Sequence, residues 1–284
     1  LRMKILIQGI FTKANAMEIT QTVRSNFGEG NSPKKQSLNK TTSVIPLGTS
    51  TIKIKSLLPN DKNSVIKNYY QVGSSSVETE CLLELLVKIM REPLFNFIRT
   101  KEQLGYSVTC ASKHDDNILG FTITVESQEK QNPAVMVDQK IESFLKDFVQ
   151  ILQEIPENDF EMMKKSVIAL KKVTDTDLET EMNRNWIEIR ESKYQFERND
   201  LEASQFELIK KDDLVMFFNH CFQPQNLRKL SIQIVANADD GYDSLLQHGF
   251  LHLDVTSEIN NTPNAIKNIA QFKKLLANST CSRF

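Results

Sequence analysis

The stretch EPLFNFIRTKEQLGY, residues 92–106, is where the hydrophobic period of the chain changes from helical to extended. Pro93 is expected to end one helix and begin a shorter one, because proline is tolerated in a first turn and disruptive later. Gly105 is placed to stop the shorter helix with a left-handed residue. From Tyr106 to Ser127 apolar residues alternate on both sides of a polar turn, which predicts a β-hairpin.

One long helix is predicted before this stretch. Ser75 and Glu78 have the spacing of a capping box, and Glu84 and Lys88 are placed to form an ion pair four residues apart on the polar side. The apolar positions of the helix are Leu82, Leu85, Leu86, Ile89 and Met90.

The remaining pattern predicts an α+β fold. Strands are expected at 3–10, 51–57, 64–73 and 227–236, the last with Leu230, Ile232 and Ile234 alternating, and helices at 12–27, 134–152, 157–172, 177–199 and 211–221. Asp175 or Thr176 is expected to cap the helix at 177–199, whose apolar stripe of Leu178, Met182, Trp186 and Ile189 places Trp186 in the core. This order predicts a largely antiparallel sheet with helices packed on one face.

Composition excludes several classes of partner. The chain has 284 residues with 35 Lys and Arg against 36 Asp and Glu, so its charge gives no reason to expect nucleic acid. No apolar run is long enough to span a membrane, and the opening residues lack the cleavage site of a signal peptide. Four widely spaced cysteines predict free thiols in a reducing compartment, and we expect a cytoplasmic location.

No complete active site is present in the sequence. His248 and His252 are four apart but have no carboxylate between them, and neither H-E-x-x-H nor H-x-x-E-H occurs. A nucleophile elbow and a phosphate-binding loop are also missing. We therefore expect no metal site in this chain.

Arg99 and Tyr106 are the candidate functional residues of the opening stretch. In one interpretation Arg99 belongs to a solvated helix end and Tyr106 packs its ring on the core. In the other, both side chains project from a helix–strand junction into a cleft. There a guanidinium and a phenol would donate to a peptide carbonyl or to a developing oxyanion.

The same stretch resembles a segment in the C-terminal half of the pitrilysin (insulinase) metallopeptidase family, in its insulin-degrading enzyme and nardilysin group. ILIQGIFTKANAMEI, YYQVGSSSVETECLLELLVKIM, GFTITVES, NRNWIEIRESKYQFERND and KKDDLVMFFN are similar to passages of that family in the same order. The likeness runs from about residue 3 to 237. The NRNW and GFTITV passages are nearer to the nardilysin branch, and RTKEQLGY is nearer to the insulin-degrading enzyme branch.

The resemblance implies half of a zinc metalloendopeptidase. Family members bind zinc in their N-terminal half, and the C-terminal half completes a peptide chamber. It implies that Arg99 and Tyr106 face the zinc site across the chamber, Tyr106 toward the scissile carbonyl or oxyanion and Arg99 toward the substrate backbone. Phe95 matches a chamber-lining position. The implied cofactor is zinc in the absent half, the implied partner is that half, and the nardilysin branch implies a dibasic preference.

Domain boundaries follow from the same resemblance. Residues 1–45 are expected to be the end of a preceding, third domain with a linker, and residues 46–284 a fourth domain with a poorly assigned tail at 239–284. Starting at Leu1 rather than Met, the chain is expected to be a fragment that is inactive alone. The alternative is a stand-alone module of the same fold that binds peptides or proteins without hydrolysis.

Overall fold

A long β-hairpin and a buried helix form the centre of the molecule. The computed structural model describes residues 3–27, 43–56, 58, 60–115, 117–128, 131–236, 252–256 and 264–266. The helices in these ranges are α1 Lys13–Phe27, α2 Val77–Phe95, α3 Ala134–Glu154, α4 Glu157–Lys171, α5 Leu178–Arg190, α6 Arg198–Leu208 and α7 Lys211–Phe222. The strands are β1 Gly48–Lys55, β2 Asn63–Ser74, β3 Ser107–Asp115, β4 Ile118–Gln128, β5 Arg228–Val235, β6 His252–Thr256 and β7 Asn264–Ile266.

The described strands form one sheet in the order β3-β4-β2-β5-β1-β6-β7. Only β1 and β5 run parallel among these pairs, so the predicted α+β fold with a largely antiparallel sheet is confirmed. Alternate residues of β2 and β4 turn toward the helices, as the pleat requires. Ile66, Tyr70, Phe121, Ile123 and Val125 join one buried cluster with the apolar faces of α2 and α3.

The closing strand β5 has its polar residues buried. Its register places Lys229 opposite Tyr70, on the side of the sheet that α3 covers. Lys229 Nζ lies 2.7 Å from both Asp138 Oδ1 and Glu142 Oε1, and the Tyr70 hydroxyl donates to Glu142 at 2.6 Å. A buried ammonium is tolerable because two carboxylates compensate it. The predicted strand is therefore correct, but Lys229 and its polar neighbours, rather than the isoleucines, are buried.

Helix α2 begins one residue later than predicted. Ser76 is its N-cap and forms a capping box with Thr79, whereas Ser75 donates to Glu80. The expected Glu84–Lys88 pair is not the one that forms, since Glu84 pairs with Lys171 of α4 at 2.9 Å. The five predicted apolar positions of α2 are all buried.

A network of charged side chains joins α2 to α5 and α6. The Arg198 guanidinium contacts Glu188 at 2.5 Å, Glu80 at 2.8 Å and Glu202 at 3.5 Å. Lys171 lies 2.7 Å from Glu202. The carboxylates of Glu80, Glu188 and Glu202 are nearly buried, and burying an unpaired charge would be costly. Each of the three is compensated by a cation of this network.

The predicted helix at 177–199 ends early, since α5 stops at Arg190 and a separate helix, α6, begins at Arg198. Asp177 rather than Asp175 or Thr176 caps α5 by accepting from the Thr180 amide. The prediction that Trp186 is a core residue is wrong, because its side chain is 39% exposed and only Ile189 of the stripe is buried. Helix α5 is held by ionic contacts instead of by an apolar stripe.

The predicted strand at 3–10 does not form. Its residues lie against α5, where Lys4 donates to Ser192 at 2.7 Å and Asn185 donates to Gln8 at 3.1 Å. Strand structure needs a neighbouring strand for its backbone groups, and the described residues provide none here. Helix α1 forms as predicted but buries no residue. Most of the predicted linker and tail lies outside the described residues.

Candidate functional site at the helix–strand junction

Helix α2 continues through Pro93 and then widens. The prediction that Pro93 ends the helix is wrong, since α2 runs to Phe95 and is followed by a π-helical turn, Asn96–Lys101. Proline has no amide to donate and crowds the turn before it, yet Pro93 lies inside α2, and the π-helical turn begins only three residues after it. The amide of Glu102 donates to the Phe97 carbonyl at 3.0 Å, five residues back, and closes the turn.

The chain leaves the π-helical turn through a left-handed residue, which is Gln103 with φ 53° and not Gly105 as predicted. Gly105 is required for a different reason. A Cβ at this position would lie 2.7 Å from Val125 Cγ1 and 2.8 Å from the Glu126 carbonyl oxygen. The absence of a side chain thus lets the junction pass directly against β4.

Two side chains from the segment that follows β4 hold the junction in place. Asn132 donates to the Gln103 carbonyl at 3.2 Å, and Lys140 of α3 pairs with Glu102 at 2.8 Å. Leu104 of the junction is buried in the hydrophobic core. No local pattern in the sequence pointed to Asn132 or Lys140, because both contacts join segments distant along the chain.

The structure brings Phe95 and Arg99 together. Both side chains are exposed, and the Arg99 guanidinium lies over the Phe95 ring, 5.2 Å from its centroid. This cation–π contact restricts the guanidinium, and Arg99 stays exposed. Arg99 is therefore able to bind a carbonyl or carboxylate oxygen from outside the chain.

Tyr106 precedes β3 and is paired with Glu126 of β4. The Tyr106 amide donates to the Glu126 carbonyl at 3.1 Å, and the residue is 49% exposed. Hydrogen bonding to the Glu126 carboxylate, followed by partial burial and the negative charge of that carboxylate, raises the pKa of the phenol. The hydroxyl is consequently protonated at neutral pH and can act as a donor.

A groove lies between the end of α2 and β3. It has a volume of about 590 Å³ and is lined by Arg91, Glu92, Leu94, Phe95, Val108, Thr109 and Cys110. Arg91 Nε donates to the Cys110 carbonyl at 3.0 Å. Burial raises the pKa of the Cys110 thiol to about 12, so this cysteine is protonated and is not a nucleophile.

The predicted site residues thus occupy one junction but make different contacts. Phe95 and Arg99 pair with each other, whereas Tyr106 pairs with Glu126, and no contact among the described residues joins Tyr106 to Arg99. The described ranges contain no group of three His, Cys, Asp or Glu residues that could hold a metal ion.

Sequence comparison connects this junction to known peptidases. Residues 85–186 match the family model described as "PQQ synthase PqqF-like, C-terminal lobe domain 4". The chain is 35% identical to nardilysin of Homo sapiens over 81% of its own length and 20% of the relative. It is 27% identical to nardilysin-like of Arabidopsis thaliana over 81% of its length and 23% of that protein. The chain therefore spans about a fifth of the length of these relatives.

Solved structures show the same fold. Pitrilysin matches with a TM-score of 0.68 at 19% identity, over 85% of this chain and 25% of that chain. A peptidase M16 inactive domain from Pseudomonas fluorescens matches with a TM-score of 0.55 at 11% identity, over 80% of this chain and 52% of that one. By sequence and fold the chain belongs to the pitrilysin (insulinase) family, and it is homologous to the C-terminal lobe of its peptidases.

Within the part of the chain that the structure describes, no helix has both the length and the apolar character needed to cross a membrane. The three cysteines described, Cys81, Cys110 and Cys221, are free and buried.

Proposed function

We propose that this chain is the C-terminal, non-zinc half of a nardilysin-like metalloendopeptidase, and that it presents Arg99 and Tyr106 to a peptide. The observation that carries the proposal is the exposure of both donors at one fixed helix–strand junction. Zinc would belong to the N-terminal half, in keeping with the relative named "Putative zinc protease mug138" of Schizosaccharomyces pombe. A cytoplasmic location and a dibasic preference are further parts of the proposal.

In this proposal each side chain has its own task. Arg99, oriented by Phe95, binds a carbonyl of the substrate backbone with its planar donors. Tyr106 donates its phenol proton to the scissile carbonyl, where the interaction strengthens as negative charge develops on the oxygen. Glu126 holds the phenol in place until the substrate oxygen replaces it as acceptor.

A division into domains, within a longer protein, is part of the same proposal. We propose that residues 1–45 close a preceding domain and that residues 46–284 form the C-terminal one. Met3 and Ile5 are exposed, and α1 buries no residue. These apolar side chains fit an origin in a separate domain, whose other residues would cover them.

A comparison between this chain and the full-length protein tests the proposal. The isolated chain is expected to contain no stoichiometric zinc by elemental analysis and to leave a quenched fluorescent peptide with a basic pair uncleaved. The full-length protein is expected to cleave it in a chelator-sensitive reaction. A full-length protein that binds the peptide without cleaving it would instead support the alternative, a non-catalytic binding module.

A further inference from the structure

Strand β3 lies at one end of the sheet. Within the described ranges it pairs with β4 and with no other strand, so its second edge has no strand partner. Unpaired edges of this kind are common sites for the addition of an extended peptide, because the backbone groups are already aligned for pairing.

The direction of the backbone groups can be assigned from two hydrogen bonds. The Cys110 carbonyl accepts from Arg91 and therefore points away from β4, whereas the Ala111 carbonyl accepts from Thr122 of β4 at 3.4 Å. Backbone groups alternate in direction along a strand. The N–H and C=O groups of Val108 and Ser112 consequently point outward with those of Cys110.

The groove described above runs beside this edge. Phe95 and Leu94 form its apolar wall, Val108 and Cys110 form the opposite side, and Arg91 lies across it. A peptide that pairs with the outward groups of Val108 would direct alternate side chains toward the helix side of the sheet. An apolar side chain two or more residues along the peptide would then enter the groove beside Phe95.

We infer that the outer edge of β3 binds an extended peptide as an additional strand, with Val108 as the central pairing residue and an apolar peptide side chain beside Phe95. The inference deepens the proposed function and rests on it for the class of ligand. Since two strand residues span roughly 7 Å, a peptide paired at Val108 also passes the end of the strand at Tyr106. Arg91 covers the Cys110 carbonyl in the free chain and would be displaced as the strand extends.

Amide hydrogen exchange measured by NMR gives a direct test on the 284-residue chain. The probe is a short peptide that alternates valine and threonine, with a central phenylalanine and a lysine at each end. We expect the peptide to slow exchange at Val108, Cys110 and Ser112 at least tenfold. Thr109 and Ala111, already directed at β4, should not change. Binding without this alternation along β3 would overturn the inference.

Proline at position 108 removes the central donor. Val108→Pro is expected to weaken binding of a fluorescein-labelled form of the same peptide about tenfold or more, because an outward N–H is lost and the ring blocks the edge. Ala111→Thr, at an exposed position of the same strand whose carbonyl is directed at β4, leaves the outward groups unchanged and is expected to bind like the original chain. Equal affinity for the two variants would contradict the inference.

Peptide N-methylation tests the same point without changing the protein, in case Val108→Pro does not fold. Two versions of the probe carry methyl groups on opposite sets of alternate amides. Only one set faces β3, so one version should lose at least tenfold in affinity and the other should keep it. Equal loss or equal retention in both versions would rule out pairing with a strand edge.

These measurements separate the inference from the proposed function. If β3 is protected but the full-length protein cleaves no peptide, the edge binds peptides and the peptidase role is wrong. If the full-length protein cleaves peptide and Val108→Pro leaves its KM unchanged, the peptidase role stands and the edge inference fails.

Discussion

Tyr106 is linked to Glu126 through its amide, which donates to the Glu126 carbonyl at 3.1 Å, and hydrogen bonding to the Glu126 carboxylate is the main cause of the raised pKa of its phenol. The backbone contact fixes where the strand begins. An acceptor that is charged and preorganised keeps the phenol protonated. It also competes with any substrate oxygen for the same proton.

Glu126→Gln tests this coupling. The amide retains a hydrogen-bond acceptor but removes the negative charge, so the pKa of Tyr106, now raised, should move down toward its ordinary value. In the original chain the phenol donor is present below its raised pKa and is lost as the pH rises through it. The loss should therefore occur at lower pH in the variant. An ultraviolet titration measures the change, with the curve of Tyr106→Phe subtracted to isolate the one phenol. If the difference curves of the original chain and of Glu126→Gln are identical, the carboxylate has no influence on the pKa of Tyr106.

Gly105→Ala should destabilise the domain by about 1–3 kcal/mol, because the new methyl group meets a strand that cannot move freely. The conflict is with Val125 Cγ1 at 2.7 Å and with the backbone oxygen of Glu126 at 2.8 Å. Chemical denaturation gives the change in the free energy of unfolding. Thr109→Ala, at an exposed position of β3, serves as control and should change it little. An equally stable Gly105→Ala would mean that the junction is less tightly fixed.

The main elements of the fold could be predicted from the sequence because their apolar periods are strong. Helix α2 and the β3–β4 hairpin each have an unbroken pattern, and the structure contains both. The standard roles predicted for Pro93 and Gly105, a helix end and a left-handed residue, are both wrong. Helix α2 continues past the proline to Phe95, and the π-helical turn that follows it leads to a left-handed residue at Gln103.

The site was only partly predictable. Phe95, Arg99 and Tyr106 are close in sequence and were identified together, and their roles in catalysis remain predictions. Glu126 has no signal of its own in the sequence, because its contact with the Tyr106 amide depends on the register that places Glu126 opposite Ser107. Pairing across a sheet is set by the whole hairpin and cannot be deduced from the spacing of single residues.

Trp186→Ala should cost only about 1 kcal/mol in this chain, because 39% of the side chain is already exposed. Ile189→Ala, on the same helix but buried, should cost about 2–4 kcal/mol. Thermal unfolding of the two variants side by side gives the comparison. A larger loss for Trp186→Ala than for Ile189→Ala would contradict the placement of α5.

Arg99→Ala in the full-length protein should raise KM more than it lowers kcat, because a backbone contact is made in both the bound and the transition state. Arg99→Lys should restore only part of the loss, since an ammonium lacks the planar pair of donors. The domain should stay folded, as the side chain is exposed and its described contact is with Phe95. Steady-state kinetics beside melting curves measure both effects. A normal KM in Arg99→Ala would favour the interpretation of a solvated helix end.

Tyr106→Phe in the full-length protein isolates the proposed oxyanion donor. The ring is kept and only the hydroxyl is lost, so kcat should fall roughly 10²–10³-fold with a smaller change in KM, as expected for an interaction made mainly in the transition state. Stability should not change, because the residue is 49% exposed and its amide contact with Glu126 is retained. Glu126→Ala is the matched control: it removes the carboxylate that acts on the phenol but leaves the donor. If both variants lose activity equally, the hydroxyl matters for positioning alone. If Tyr106→Phe keeps its kcat/KM, Tyr106 has no part in catalysis.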